Sequence, residues 1–346
     1  GTPTANTVTG SEFTLTGGAG AKNIGLLVRK GKVSVEAGKF DINSGTHSTG
    51  IYIHEGATLS GLTNYTNFTI GSEHSNGIYI SDTGKLDGNI VAGTVTVSAH
   101  NSNGMRFDNK VEKSIRGAFT VSGDNSNGIY FGARTAQTGG TPTITSSSFA
   151  VSGTNSTGVY ANELKDITVT GSTFTVSGGN KSSGLFIDKV GDTSHANPGT
   201  VTINPDTTFT VKNGSIGIAI NTEQDNIGTK GTKVVFNGEE GVVGPPATPA
   251  KPISIHVGAD GSQKNIGINI QSGTGHQGAY GRPLEIDAKT KTLDIEVGQV
   301  GKSGHNIGIN NRGGINTLDL KVGKVHNPGG GNAGSGFGVF EVKGNQ

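Results

Sequence analysis

Three sets of residues have types and spacings that could do chemistry. The first is a run of carboxylates, Glu55, Asp82, Asp108, Glu163 and Asp188, each placed just after a segment of the Gly-Ile-Tyr type. If those segments stack, Asp82 and Asp108 stand about 5 Å apart, near the separation at which retaining glycosidases hold their two carboxyl groups. No Arg, Lys or His set recurs around them, and solvated turns are where Asp and Glu ordinarily sit, so no catalytic residue is assigned. The second set is His47, His74 and His100, beside Glu73. Two ligands on adjacent rungs fall short of a closed zinc site, which takes four; no metal and no cofactor is expected. The third set is Tyr52, Tyr79, Arg106, Tyr130, Tyr160 and Phe186, which hold the same place in successive segments. Such a column could stack on sugar rings or pack against a partner. It could equally consist of good strand formers covering a sheet. These six are the candidate binding residues.

Other signatures are weaker. Thr94/Thr96, Thr173/Thr175 and Thr208/Thr210 evoke the flat threonine arrays of ice-binding solenoids, but Ala118, Ser148 and Ala150 interrupt them. No EF-hand loop, calcium-binding nonapeptide, P-loop or nucleophile elbow is present.

What must position these residues is a repeat. Its first part returns as Gly25-Leu26-Leu27, Gly50-Ile51-Tyr52, Gly77-Ile78-Tyr79, Gly104-Met105-Arg106, Gly128-Ile129-Tyr130, Gly158-Val159-Tyr160 and Gly184-Leu185-Phe186. It continues as Gly217-Ile218-Ala219, Gly267-Ile268-Asn269, Gly308-Ile309-Asn310 and Gly338-Val339-Phe340. Intervals of roughly 25 to 50 residues that tolerate insertions mark a solenoid whose coils stack on their neighbours.

Within one coil, Gly158-Val159-Tyr160-Ala161, Asp166-Ile167-Thr168-Val169 and Phe174-Thr175-Val176 read as three short alternating strands separated by Gly/Asn/Ser turns. No helical periodicity of useful length appears. The expected fold is all-β: a right-handed parallel β-helix of about eleven coils with three short strands per coil, on the order of 50 Å long. The third strand repeats as Phe40-Asp41-Ile42, Phe68-Thr69-Ile70, Val95-Thr96-Val97, Phe119-Thr120-Val121, Phe149-Ala150-Val151, Phe174-Thr175-Val176 and Phe209-Thr210-Val211. Ile253-Ser254-Ile255, Leu293-Asp294-Ile295 and Leu318-Asp319-Leu320 are aligned with it. Its outer members form an inward Phe ladder over an Ile/Val ladder, with rungs about 4.8 Å apart. Before each first strand stands a corner such as His47-Ser48-Thr49, His74-Ser75-Asn76 or Asn125-Ser126-Asn127. Stacked Asn and Ser side chains there can bond along the axis, and Asn tolerates left-handed backbone. Residues 1–220 form the regular coils; 221–346 continue the same solenoid with longer loops, including the proline-rich stretch 244–252, which must leave the sheet.

Composition agrees with a thin-cored, elongated body. Only 31% of the 346 residues are hydrophobic and 60 are glycine, yet the apolar residues keep register, which a disordered chain has no reason to do. The net charge is +1, with no basic stripe, so no nucleic-acid partner is expected. Absent cysteine excludes a disulfide framework and thiolate chemistry and suits a chain that crosses a periplasm. No apolar run is long enough to span a membrane as a helix.

The tandem Asn-Ser-Asn-Gly-Ile-Tyr-like and Phe-Thr-Val-Ser-Gly-like coils, with a Ser/Thr/Gly/Asn-rich exterior and no cysteine, resemble the passenger region of bacterial type V autotransporters. The resemblance covers essentially the whole chain. It implies an extracellular bacterial surface protein, a non-catalytic adhesin or structural scaffold, whose partner is a host-cell or matrix glycan or protein. A β-helix polysaccharide hydrolase or lyase is one alternative. Another is a filament subunit: Thr7-Val8-Thr9 with Phe13 and Leu15 read as second and third strands without a first, and Val339, Phe340 and Val342 as a first strand alone, so copies could complete one another end to end. The family's outer-membrane barrel is missing after Gly338, which reads as a fragment of a longer passenger or a free extracellular subunit.

Overall fold

The computed structural model describes residues 5–18, 20–132, 140–162, 164–179, 181–188, 190, 199–221, 232–239, 248–258, 260, 262, 264–271, 284–287, 293–297, 306–311, 317–319 and 340–341. These residues form a parallel β-solenoid without a helix. One sheet carries eleven parallel strands, the first strand of each coil, from Ile24–Val28 and Thr49–Ile53 through Ser183–Ile187 and Ile216–Asn221 to Phe340–Glu341. A second sheet of nineteen strands collects the second and third strands. Among the described residues no helix is long and apolar enough to cross a membrane.

Alternation decides which side chains enter the core. In Thr49–Ile53, Ile51 and Ile53 are wholly buried while Tyr52 between them is not. Phe13, Phe40 and Phe68 stack at 4.6 and 5.1 Å, and Phe119, Phe149, Phe174 and Phe209 at 4.7, 4.7 and 4.6 Å. Val95 stands between the two runs, opposite Phe68 on one side and Phe119 on the other. Val8, Phe13 and Leu15 pack on the next coil of their own chain, opposite Val35, Phe40 and Ile42.

The corner before each first strand satisfies its own polar groups. His47, His74, Asn101, Asn125, Asn155 and Lys181 all have left-handed backbone, with φ between 53° and 67°. The serines that follow are wholly buried. Backbone N–H groups of Ser48, Ser75, Ser102 and Ser126 donate to the hydroxyl of the serine one coil on, at 2.9–3.1 Å. Those hydroxyls donate to carbonyls in turn, Ser126 to Ala99 at 2.8 Å and Ser156 to Gly123 at 2.7 Å. A buried hydroxyl with both roles filled costs little and holds adjacent coils in register. Where coils lengthen, Asn265 and Asn306 replace the serines: Gly214 N donates to Asn265 Oδ1 and Asn265 N to Asn306 Oδ1.

Glycine stands two residues after the serine for a steric reason. A Cβ at Gly50, Gly77, Gly104, Gly128, Gly158 or Gly217 would lie 2.5–2.6 Å from the carbonyl oxygen of the equivalent glycine in the next coil. No real side chain fits that space.

The structure corrects four sequence expectations. Thr58–Ile70, Ile90–Val97 and Ser114–Val121 each run the second and third strands together, with register shifts marking the bends. Ile255 and Val257, rather than Ile253 and Ile255, stand opposite Phe209 and Val211, and Ile295 and Val297 follow them. A slip of two residues keeps every inward side chain inward, so alternation alone does not reveal it. Thr317–Asp319 pairs with Leu284–Asp287 in the second-strand column, which removes Leu318 from the third. Finally, Phe340 pairs with Ile309 and Glu341 with Asn310, one residue away from the expected match of Phe340 with Asn310; Gly338, Val339 and Val342 lie outside the described residues. The proline-rich stretch lies partly outside them too; within them Lys251 forms an isolated antiparallel bridge with Glu239.

Gly128→Ala is expected to destabilise by about 1–3 kcal/mol or more, because the neighbouring coil must shift, whereas Gly18→Ala, with open space around it, should stay within ~0.5 kcal/mol. Denaturant midpoints that rank the two equally would contradict the close approach of the coils. Phe174→Ala should cost on the order of 3–5 kcal/mol by emptying one place in the ring stack.

Candidate functional site

The outward face of the eleven-stranded sheet brings all six candidate residues together. Tyr52 pairs with Tyr79, Tyr79 with Arg106, Arg106 with Tyr130, Tyr130 with Tyr160 and Tyr160 with Phe186. All six are part-buried. Rings of Tyr52 and Tyr79 stack at 5.0 Å and those of Tyr160 and Phe186 at 4.8 Å, while Tyr130 and Tyr160 lie 5.1 Å apart, tilted by 33°. The Arg106 guanidinium fills the remaining gap, 5.1 Å from the Tyr79 ring and 5.6 Å from the Tyr130 ring, a cation–π sandwich. The column therefore spends most of its ring faces on itself and turns edges and hydroxyls to solvent. At the first end Tyr52 also stacks with His54, at 5.3 Å, whereas among the described residues no ring lies against Phe186 beyond Tyr160. Leu27 precedes Tyr52, and Ala219 follows Phe186.

Polar ties hold the rings in place. Asp108, only 2% exposed, accepts a hydrogen bond from Tyr79 Oη at 2.9 Å and a bidentate pair from Arg106, Nε to Oδ1 at 3.0 Å and Nη2 to Oδ2 at 2.9 Å. Asp188 accepts from Tyr160 Oη at 3.0 Å and from Asn221 Nδ2 at 2.7 Å. Burial disfavours the Arg106 charge, but the Asp108 hydrogen bond and charge, followed by smaller contributions from Tyr79 and Tyr130, leave its pKa raised. A charge-assisted bidentate bond is worth that desolvation. A second ladder runs beside the first: Asn103 Nδ2 donates to Asn76 Oδ1 and Asn127 Nδ2 to Asn103 Oδ1, each at 2.9 Å.

The carboxylates do not line up as the sequence implied. Phe107 pairs with Ile80, so Asp108 stands opposite Ser81, and Asp82 lies one residue farther along, in an exposed turn. Asp188 likewise follows Ile187, which pairs with Ala161, so its neighbour is Asn162. Asp108 and Asp188 brace tyrosines. Glu55 has left-handed backbone in a turn, and Glu163 lies outside the described residues. At the corner, His47 and His74 rings stack at 4.9 Å, while His100 faces Asp124 at 3.9 Å. Among the described residues no three His, Asp or Glu side chains gather as metal ligands.

One cluster escaped the sequence reading. Lys32, Lys85, Lys110 and Lys113 surround a groove of ≈ 550 Å³ with Asp87 and Glu112. Lys32 Nζ reaches Asp87 at 3.1 Å, and that hydrogen bond, followed by the Lys32 charge, holds the Asp87 carboxyl below its ordinary range. The signal was available: Lys32 and Lys85 stand at nearly equal offsets from Gly25 and Gly77, and both pair with Thr58.

The chain matches no protein-family model, no curated protein and no solved structure.

Burial first, then the Asp108 charge and hydrogen bond, raise the Tyr79 phenol above its ordinary value of 10.0; burial and then Asp188 do the same for Tyr160. A phenol pKa higher in the folded than in the unfolded state stabilises the fold fully below the unfolded value. That contribution is lost as pH rises from there through the folded value. Ultraviolet titration should show Tyr79 and Tyr160 ionising above the ordinary phenol range, with stability falling above about pH 10 and falling less in Tyr79→Phe. Uniform ionisation of all tyrosines without unfolding would contradict the anchored phenols.

Proposed function

We propose that this chain is a non-catalytic β-solenoid scaffold of the bacterial cell surface, an extracellular adhesin that presents its aromatic column to a host-cell or matrix glycan or protein. The observation that carries this reading is the column itself. Six large side chains stand in register on the outward face of a sheet whose core is already filled from the other side by Ile51, Ile53, Ile78, Ile80 and their counterparts. Aromatic side chains on an exposed face contribute less to folding than buried ones, and a continuous row of them is the kind of surface that partners use. Stacking, the Arg106 sandwich and the Asp108 and Asp188 ties fix the row before any partner arrives, which lowers the entropy lost on binding. Asp108, the most buried of the candidate acids among the described residues, has its oxygens committed to Arg106 and Tyr79. The absence of cysteine fits secretion through an oxidising compartment.

Adhesion of purified protein to host epithelial cells and to a glycan array should fall at least tenfold in the Tyr52→Ser, Tyr79→Ser double variant, at unchanged fold by circular dichroism. Retained adhesion in that variant would remove the column from the binding surface. Release of reducing ends or unsaturated products from a polysaccharide panel, lost in Asp108→Asn, would replace the adhesin by an enzyme.

A further inference from the structure

The columns of the outward face all break at one place. The asparagine ladder from Asn76 ends at Asn127, whose Oδ1 accepts no hydrogen bond among the described residues: the next position is Thr157, which bonds Ser183 instead, at 3.2 Å. At the corner, Asn155 Nδ2 donates to Asn125 Oδ1 at 2.7 Å, but the next coil carries Lys181 at the same left-handed position rather than another asparagine. Lys181 is exposed, has left-handed backbone and makes no ion pair among the described residues. It is followed at the same corner by Gly214. The aromatic column ends with Phe186, whose outer neighbour is the small, buried Ala219. These breaks surround a single groove of ≈ 410 Å³, lined by Asn127, Asn155, Lys181, Phe186, Ile216 and Ala219 among others.

We propose that this groove is a binding site for an acidic saccharide, a pyranose carrying a carboxylate. The inference rests on the adhesin reading and gives it a ligand class and a place. Each broken ladder leaves one valence, and together they describe the ligand. The Phe186 face toward Ala219 offers an apolar plate for the C–H face of a sugar ring, rigid because Tyr160, stacked behind it at 4.8 Å, is tied to Asp188. The Asn127 and Asn155 carbonyl oxygens need donors, which sugar hydroxyls supply. The Lys181 ammonium needs an anion. The nearby carboxylates do not compete for it: Asp188 is engaged by Tyr160 and Asn221, and Asp124 Oδ1 accepts from Thr154 N at 2.8 Å. A pocket with a hydrophobic wall and a few convergent polar groups is the usual form of a small-ligand site.

The test is calorimetric titration of the whole chain with the methyl glycosides of glucuronic acid, N-acetylneuraminic acid and glucose, and with a short acidic peptide. At least one carboxylated glycoside should bind, roughly tenfold or more tighter than the glucoside. Lys181→Gln should abolish that preference while leaving the glucoside unchanged. Phe186→Leu, which keeps apolar packing on Tyr160 without the ring face, should weaken every glycoside about tenfold. Failure of all three glycosides to bind, binding indifferent to both variants, or tighter binding of the peptide overturns the proposal. Cell adhesion measured on the same variants separates the two readings. Adhesion that persists without glycoside binding leaves the adhesin standing and removes this site. Glycoside binding in a chain that adheres to nothing leaves the site and removes the adhesin.

Discussion

The structure depends on how closely consecutive coils approach at one point. Where the corner turns into the first strand, the carbonyl of one glycine lies where the Cβ of its neighbour would have to be, 2.5–2.6 Å away in most coils. A positive φ is not the reason for these glycines, since the left-handed residue stands three positions earlier, at His47, His74, Asn101 or Asn125. The constraint is contact between main chains. It sets the vertical spacing at the corner, and that spacing lets a serine hydroxyl bridge to the N–H of the coil below and lets rings stack at about 5 Å. A repeat with tolerant turns elsewhere keeps its register because this point tolerates no change.

That is also why so much of the fold was legible. Glycine marks the rung, and the residues flanking it alternate in and out, so Ile51, Tyr52 and Ile53 could be assigned to core, surface and core before any coordinates. Legibility faded with distance from the glycine. The third strand lies far along the coil, with turns of variable length between, and alternation is blind to a slip of two; hence Ile253 was aligned where Ile255 belongs. The second and third strands run together in Thr58–Ile70 through Asn64 and Tyr65, which adopt left-handed backbone within a bent strand.

The candidate site divides in the same way. The column from Tyr52 to Phe186 was visible because it sits two residues from the marker glycine, and all six members meet. Ring geometry narrows what the column can offer: stacked faces shield one another, and a flat ligand would meet an open face only beyond Phe186. The expected spacing of Asp82 and Asp108 failed by a single residue of register, which sets Ser81 beside the acid that braces a tyrosine. The lysine groove needed offsets compared across coils of unequal length, which motif reading does not do. The groove beyond Phe186 is defined by where ladders end, and an ending is harder to see in a sequence than a repetition.

Because the strands lie across the rod, the hydrogen bonds that join coil to coil point along it. Tension applied along the rod through a whole coil is therefore shared by every bond of an interface at once. The same force drawn through a single strand opens them in succession, like a zipper. A ligand seated on the side of the stack, on side chains contributed by several coils from Asn127 to Ala219, distributes its load over those coils rather than concentrating it on one. In flowing liquid an attachment at that groove would resist peeling, a mechanical property that follows from its placement and is independent of affinity.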